Sequence, residues 1–461
     1  MNVISVISEK GKTILICDGF KFGFQKNLAN DVKRWTCTKK ICSAYLKINM
    51  CNEIQFENSK LIHNCAKDSE QKINRQILSN NLKRKALEQL SERPAKLFHD
   101  EMKKCNVSTL TSSDVTYIKN NMNHARNSIH PKLLQDANEI HNILSSIEIK
   151  TFKGENFLMV NDPLNGFVMF SCDENIIFLS SLTTIYVDGT FDYCVQYFCQ
   201  LFTIHGFKNN YYIPLAFFLL RDKSQVSYKR AFVELQNQCL KSVEVFEPKM
   251  CFVDFEKSIH NALLEVWPQI EIKGCIFHLC QSWWRKIQKI GLATEYSKND
   301  EIGKYLTYIF GFPFLHPEEV GDVFAIDLGE LKPENDKLTE FSDYLVDNYI
   351  DEDSSFPPKI WAEMTSSAQR STNACESFHS KYNSNFSSTH PHIYKFLDVL
   401  KAMQLDTVIL INSSKMETKI IRTATKNKNK FINNLIDKLN MNEISKLQYL
   451  KALANKFKPR N

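Results

Sequence analysis

Three acidic residues stand in local settings suited to metal chemistry. Asp188 follows the apolar run 183–187 in TTIYVDGTF, Asp254 follows a second apolar run in MCFVDFE, and Glu376 lies in RSTNACESFHSKYN, a stretch of helical character. Mg²⁺ takes oxygen ligands and is usually held by one or two carboxylates together with substrate phosphate oxygens. Two strand-end aspartates and a later helical glutamate therefore form a ligand set for two divalent cations, Mg²⁺ or Mn²⁺, over a phosphodiester. Taken singly, each acid also reads as a solvated surface or helix-cap group, the usual place of Asp and Glu.

A second constellation lies near the N-terminus. Cys37 and Cys42 form a C-x4-C pair, and His63 and Cys65 an H-x-C pair, separated by enough chain for a hairpin. Zn²⁺ takes four such N and S ligands tetrahedrally, and a closed site of this kind folds a segment whose core is too small to fold alone. Cys51 is a spare thiol within the same stretch. The short alternating pieces ILICDGFKFGFQ, RWTCT, SAYLKIN and IQFENSKLIHN predict small twisted strands around the site.

The elements that position the three acids are legible between residues 155 and 285. NFLMV and GFVMFS lead in. TTIYVD, QYFCQLFTIHGF and YYIPLAFFLL predict three strands of an antiparallel meander, and MCFVDF and IKGCIFH a fourth and a fifth. A helix carrying Tyr228, Ala231, Phe232, Leu235 and Cys239 on one face precedes the fourth strand. Another, with Ile259, Ala262, Leu263, Val266 and Trp267 on one stripe, precedes the fifth. This is the order of an RNase H-like fold, in which strands one, four and five run parallel and adjacent. Their carboxyl ends share one rim, where α/β proteins place ligands. Asp188 ends strand one, Asp254 ends strand four and His278 ends strand five, so acids 66 residues apart in sequence are expected side by side.

DGTF at 188–191, CFVDFEKSIHNAL at 251–263, GCIFHLCQ at 274–281 and RSTNACESFHS at 370–380 resemble Mutator-like element (MULE) transposases of the DDE class. Cys275-Ile-Phe-His278 matches that family's C-x-x-H step. The resemblance covers about 150–400 and implies Asp188, Asp254 and Glu376 as metal ligands. It also implies a largely helical insertion between the second aspartate and the glutamate, here about 281–370. The asparagine pair often seen before the glutamate is Asn373-Ala374 here. Phe22, Phe24, Trp35, Cys37, Cys42, Ala44, His63 and Cys65 resemble a FLYWCH-type zinc finger over residues 3–66, with Cys65 in place of the family's final histidine. Fingers of that kind bind DNA or protein.

Other residues carry two readings. Cys275 and His278 form half a zinc site, or His278 serves the catalytic centre, or it is a satisfied core histidine. His379 orients the Glu376 carboxylate or packs. Trp283 and Trp284 are core residues or platforms for unpaired bases. Arg370 contacts DNA phosphate or an acidic neighbour.

Length and composition set the frame. The 461 residues suffice for two or three domains, and 43% hydrophobic with 24% charged residues reads as globular. The longest apolar run, 211–220, is too short to span a bilayer, and the N-terminus lacks a secretory pattern. Fourteen cysteines in that context suggest reduced thiols or metal ligands. The net charge of +6 is unevenly placed: residues 415–461 carry twelve Lys/Arg against three Asp/Glu, and residues 69–105 nine against five. Such segments favour polyanions through counterion release.

The sequence thus predicts a FLYWCH-like finger over 1–66 and a basic helical linker or helix-turn-helix-like DNA-binding region over 67–150. It predicts an RNase H-like α/β domain with a mixed five-stranded sheet over 151–410, and a basic tail over 411–461. The expected function is metal-dependent DNA strand cleavage and transfer in the nucleus. Zn²⁺ would be structural, Mg²⁺ or Mn²⁺ catalytic, and DNA the partner, with self-association expected and no membrane or small-molecule substrate. The alternative is a transposase-derived zinc-finger regulator that binds DNA without cutting it.

Overall fold

Alternation of apolar and polar residues near the N-terminus produces a five-stranded antiparallel sheet in simple order: β1 (Val3–Ile7), β2 (Thr13–Cys17), β3 (Phe20–Asn27), β4 (Lys33–Cys37) and β5 (Tyr45–Ile48). The computed structural model describes residues 3–457 apart from 9–10, 50–52, 90–91, 93, 105–106, 130–135, 244, 299, 368–372 and 387. Asp18 and Gly19, both at positive φ, turn β2 into β3, as a tight hairpin demands. Leu15, Phe22, Trp35, Ala44 and Leu46 are the small core between the strands and the chain that follows them.

Three helices follow: α1 (Glu70–Glu88), α2 (Pro94–Met102) and α3 (Ser112–Ile129). Ser69 caps α1 by accepting from the Lys72 amide. The buried stripe of α1 is Leu78, Leu82 and Ala86, packed against Leu97, Phe98, Ile118 and Met122. Ile77 and Leu87 sit one residue off that stripe. Asn80 ties α1 to β1 through two hydrogen bonds with the Ile7 backbone, at 2.7 and 3.1 Å. The chain divides into two compact units, and these elements belong to the first, Met1–Leu133.

The second unit, Leu134–Asn461, is built on a seven-stranded mixed sheet. After α4 (Ala137–Ser146) come β6 (Leu158–Asp162), β7 (Phe167–Phe170), α5 (Asp173–Ser180), β8 (Thr184–Thr190), β9 (Gln200–Lys208) and β10 (Tyr211–Leu220). Next are α6 (Gln225–Leu240), β11 (Met250–Val253), α7 (Lys257–Val266), β12 (Glu271–Gly274) and α8 (Ile276–Lys289). The order across the sheet is β12-β11-β8-β9-β10-β7-β6. β8, β9 and β10 form the expected antiparallel meander, and β11 pairs in parallel with both β8 and β12. The expected five strands become seven because the two lead-in pieces, NFLMV and GFVMFS, pair with each other and then with β10, extending the sheet at its far edge.

Alternate residues of the strands face two cores. Phe202, Ile204, Phe218 and Leu220 meet α5, α6 and α7 on one face. Leu201, Phe217 and Leu219 meet α4 and later helices on the other. The α6 stripe Tyr228, Ala231, Phe232, Leu235 and Cys239 is fully buried, as its spacing predicts.

A third core is helical. It is assembled from α8, α9 (Ala293–Tyr296), α10 (Glu301–Ile309), α11 (Val320–Asp322), α12 (Asp336–Leu345) and α13 (Pro358–Trp361). The chain then returns to the sheet through α14 (Asn373–Asn383) and α15 (Ile393–Met416). α16 (Thr423–Asn440) and α17 (Lys446–Phe457) close the helical core from the C-terminal side. Tyr449 of α17 is fully buried there, and its hydroxyl donates to the Phe314 carbonyl at 2.9 Å. Among the described residues no helix is long and apolar enough to cross a membrane.

Candidate functional site

The parallel pairing of β8 with β11 brings the first two acids together. Met250 pairs with Thr184 and Phe252 with Tyr186, an offset of 66 residues. The same offset sets Asp254, just past β11, level with Asp188 on a neighbouring strand, about 4.8 Å away in the hydrogen-bonding direction. Asp188 lies inside β8 and is 9% exposed. Its Oδ1 accepts from the Gly189 amide at 2.9 Å. A Cβ at Gly189 would lie 2.5 Å from Gln200 Oε1 and would displace that side chain from its bond to the Tyr228 hydroxyl at 2.8 Å. The turn after β11 is pinned by His260, whose Nε2 donates to the Asp254 carbonyl at 2.8 Å. Burial holds that ring's pKa down at about 4, so it is a neutral donor.

His278 approaches the acids from a helix, not from a strand end. β12 stops at Gly274, and the Leu279 amide donates to the Cys275 carbonyl at 3.0 Å, opening α8 with His278 in its first turn. The apolar run IKGCIFH reads as one strand but is divided between two elements. His278 Nε2 lies 3.2 Å from Glu376 Oε1, on α14. A cleft of about 430 Å³ is lined by Asp188, Thr190, Phe277, His278, Gln281, Glu376 and His379, among others.

His379, one turn beyond Glu376, serves Asp188 rather than Glu376. Its Nδ1 lies 3.1 Å from Asp188 Oδ2, and its Nε2 lies 2.9 Å from the buried Thr203 hydroxyl. His205 Nε2 reaches the same hydroxyl at 2.9 Å. Thr203 and His205 were not foreseen as site residues. They alternate on one face of β9, and no local signal distinguishes them from ordinary strand residues.

The electrostatics match this crowding. Burial raises the Asp254 and Glu376 carboxyls above their usual range; the charge of Asp188 adds to this and His278 opposes it. Burial also acts on Asp188, but His379, His278 and the Gly189 amide outweigh it and hold its pKa below the usual value. His278 feels burial too, yet Cys275, Asp254 and Asp188 push its pKa up to about 9. Asp254 Oδ1 is buried without a hydrogen bond, whereas Asp188 Oδ2 and Glu376 Oε1 are buried with only an unaligned histidine nitrogen beside each, His379 Nδ1 and His278 Nε2. A buried carboxylate oxygen left unpaired is costly unless a cation takes it.

The cysteine–histidine group of the first unit is tighter. The ligand atoms of Cys37, Cys42, His63 and Cys65 all lie within 4.8 Å of one another. Cys37 Sγ is 3.7 Å from Cys65 Sγ, and His63 Nδ1 is 3.2 Å from Cys42 Sγ. Zn–S bonds of about 2.3 Å put tetrahedral sulfurs roughly 3.8 Å apart, so this is a Cys3His site of the right size for zinc. Phe20 stacks on the His63 ring at 3.5 Å and fixes its orientation. Cys51 lies outside the described residues.

The remaining sequence candidates lie elsewhere. Trp283 is fully buried against Phe310, Tyr349 and Trp361, and Trp284 packs on Tyr296 at 4.8 Å. Both belong to the helical core, not the cleft. Arg370 lies outside the described residues.

No curated protein matches the chain. The stretch from the start of β8 into α8, residues 184–282, matches the family model of the MULE transposase domain. It contains Asp188, Asp254 and His278, while Glu376 and the cysteine–histidine group lie outside it. Over residues 184–282 the chain is therefore similar to the MULE transposase domain.

Proposed function

We propose that this chain is a metal-dependent DNA transposase whose RNase H-like domain cleaves and rejoins DNA strands at Asp188, Asp254 and Glu376. The observation that carries the reading is a set of three carboxylates with buried oxygens, Asp254 Oδ1 unpartnered and Asp188 Oδ2 and Glu376 Oε1 each met only by a histidine nitrogen, contributed by the end of β11, β8 and α14. They fit divalent cations bound through oxygen. Such cations, Mg²⁺ or Mn²⁺, would activate an attacking hydroxyl and stabilise the leaving oxygen of a phosphodiester.

The protein's own groups supply the rest. Asp188 lies on β8, and Asp254 directly follows β11 in a turn pinned by His260. His379, backed by Thr203 and His205, restrains the Asp188 side chain. His278, 3.2 Å from Glu376 Oε1 on the cleft wall, offers a hydrogen bond to a phosphate entering the cleft. The cysteine–histidine group fits structural Zn²⁺ in a FLYWCH-like finger, and finger and basic segments together suit a DNA partner in the nucleus.

Purified full-length protein with Mn²⁺ should nick or join DNA bearing the ends of its own element, and Asp188→Asn should abolish this while DNA binding persists. The amide keeps the shape but removes the charge. Cleavage surviving in Asp188→Asn would refute the assignment. Tight DNA binding by wild type without metal-dependent cleavage would favour the non-cutting regulator instead.

A further inference from the structure

Resting on that reading of the cleft, we infer that the outer face of α8 is a track for an unpaired DNA strand, with Phe277 as the platform on which a base stacks beside the scissile phosphate. Phe277 and Gln281 line the same cleft as Asp188, His278 and Glu376. Phe277 is 41% exposed, and its ring stands T-shaped to that of His278 with centroids 5.7 Å apart.

The rest of α8 suits a polyanion. Its sequence, IFHLCQSWWRKIQK, contains Arg285, Lys286 and Lys289 and no acid. Phe277, Gln281 and Arg285 follow one another at four-residue intervals, which puts them along one face in steps of about 6 Å. Phe277 and Arg285 are exposed and Gln281 is half-buried. Lys286 is engaged by Glu340, whereas Arg285 has no ion-pair partner among the described residues. The opposite face, Leu279, Trp283 and Ile287, is fully buried, so the helix cannot rotate the track away.

Charge and shape then run in order. The cleft end holds acids with His278 and His379 beside them. The far end of α8 is basic and attracts phosphate without metal. Between them stands an exposed aromatic ring. A paired base presents no free face to such a ring without leaving its stack, so a ring at this place selects an unpaired or flipped nucleotide. Phe277 thus takes the part that the sequence suggested for Trp283 and Trp284, whose rings are consumed by packing.

The test uses full-length protein in EDTA, so that binding is read without catalysis. Fluorescence anisotropy follows a labelled 20-nucleotide oligothymidylate and a labelled 20-base-pair duplex. Phe277→Ala should weaken the single strand by roughly tenfold or more and leave the duplex within about twofold. Phe277→Trp should restore single-strand affinity. Arg285→Gln should reduce the salt slope for the single strand by roughly one. Equal loss on both probes, no loss on the single strand, or no rescue by tryptophan would each overturn the track. Because the assay needs no metal, a protein that fails to cleave but binds through Phe277 overturns only the catalytic reading. A protein that cleaves but ignores Phe277 overturns only the track.

Discussion

His379 Nδ1 lies 3.1 Å from Asp188 Oδ2, although 191 residues separate the two in the chain. One residue comes from α14 and the other from β8, so the contact joins the helix that carries Glu376 to the strand that carries the first aspartate. Thr203 and His205 stand behind the histidine. On the proposed reading, His379 is the outer group that restrains a metal-binding carboxylate.

His379→Ala should therefore act on metal binding and on stability together. Loss of the ring leaves the buried Asp188 Oδ2 without its histidine neighbour, costing about 1–3 kcal/mol in urea denaturation. Mn²⁺ affinity, read by electron paramagnetic resonance, should fall by roughly tenfold or more. His379→Asn, which keeps a donor near the Nδ1 position, should recover more of the affinity than His379→Gln. Equal behaviour of the two amides would remove the positioning role.

Asp254→Asn should separate stability from function. The carboxyl is buried beside Asp188, and its raised pKa reports an unfavourable charge. In EDTA the amide variant should melt at or above the wild-type temperature. With Mn²⁺ added, wild type should gain stability and the variant should not. A variant less stable than wild type in EDTA would mean that Asp254 has a structural partner.

Metal binding at the acidic rim should be more sensitive to acid than that of an ordinary carboxylate site. Cations compete with protons, and burial raises the carboxyls of Asp254 and Glu376. Affinity should therefore be full well above the usual carboxylate pKa of about 4. It should be lost as pH falls through the raised values, before an exposed carboxylate would protonate. Mn²⁺ titrations at stepped pH would show this; a midpoint below about 4 would contradict it.

Removing metal from the first unit should unfold its sheet. Metal analysis should find one Zn²⁺ per chain, lost on chelation and in Cys37→Ser. The strands around Trp35 have a small core, so tryptophan fluorescence and limited proteolysis should report their opening. Unchanged protease resistance after chelation would show that the core stands without metal.

Much of this architecture was legible because it is written in local pattern. Period-four stripes define α6 and α7, whereas the piece ILICDGFKFGFQ, read as one strand, divides into β2 and β3 at Asp18-Gly19. The order of β8, α6, β11, α7 and β12 leaves few ways to lay parallel strands side by side. That topology puts Asp188 level with Asp254. The Cys3His group was legible as well, because its paired ligands lie close in sequence and converge once the strands between them fold.

What the sequence alone determined, then, was the set of elements, the adjacency of the two aspartates and the ligand types. The tertiary structure decided the rest, for reasons of non-local packing. β6 and β7 join the sheet through pairing with β10, which no local period encodes. The run ending in His278 is equally apolar as strand or helix, and only the termination of β12 at Gly274 resolves it. His379 finds Asp188, and Thr203 and His205 find His379, across chain distances that leave no trace in spacing. Trp283 and Phe277 are both aromatic residues of one helix; the helical core buries the first and leaves the second at the cleft, because a helix can offer only one face to its core.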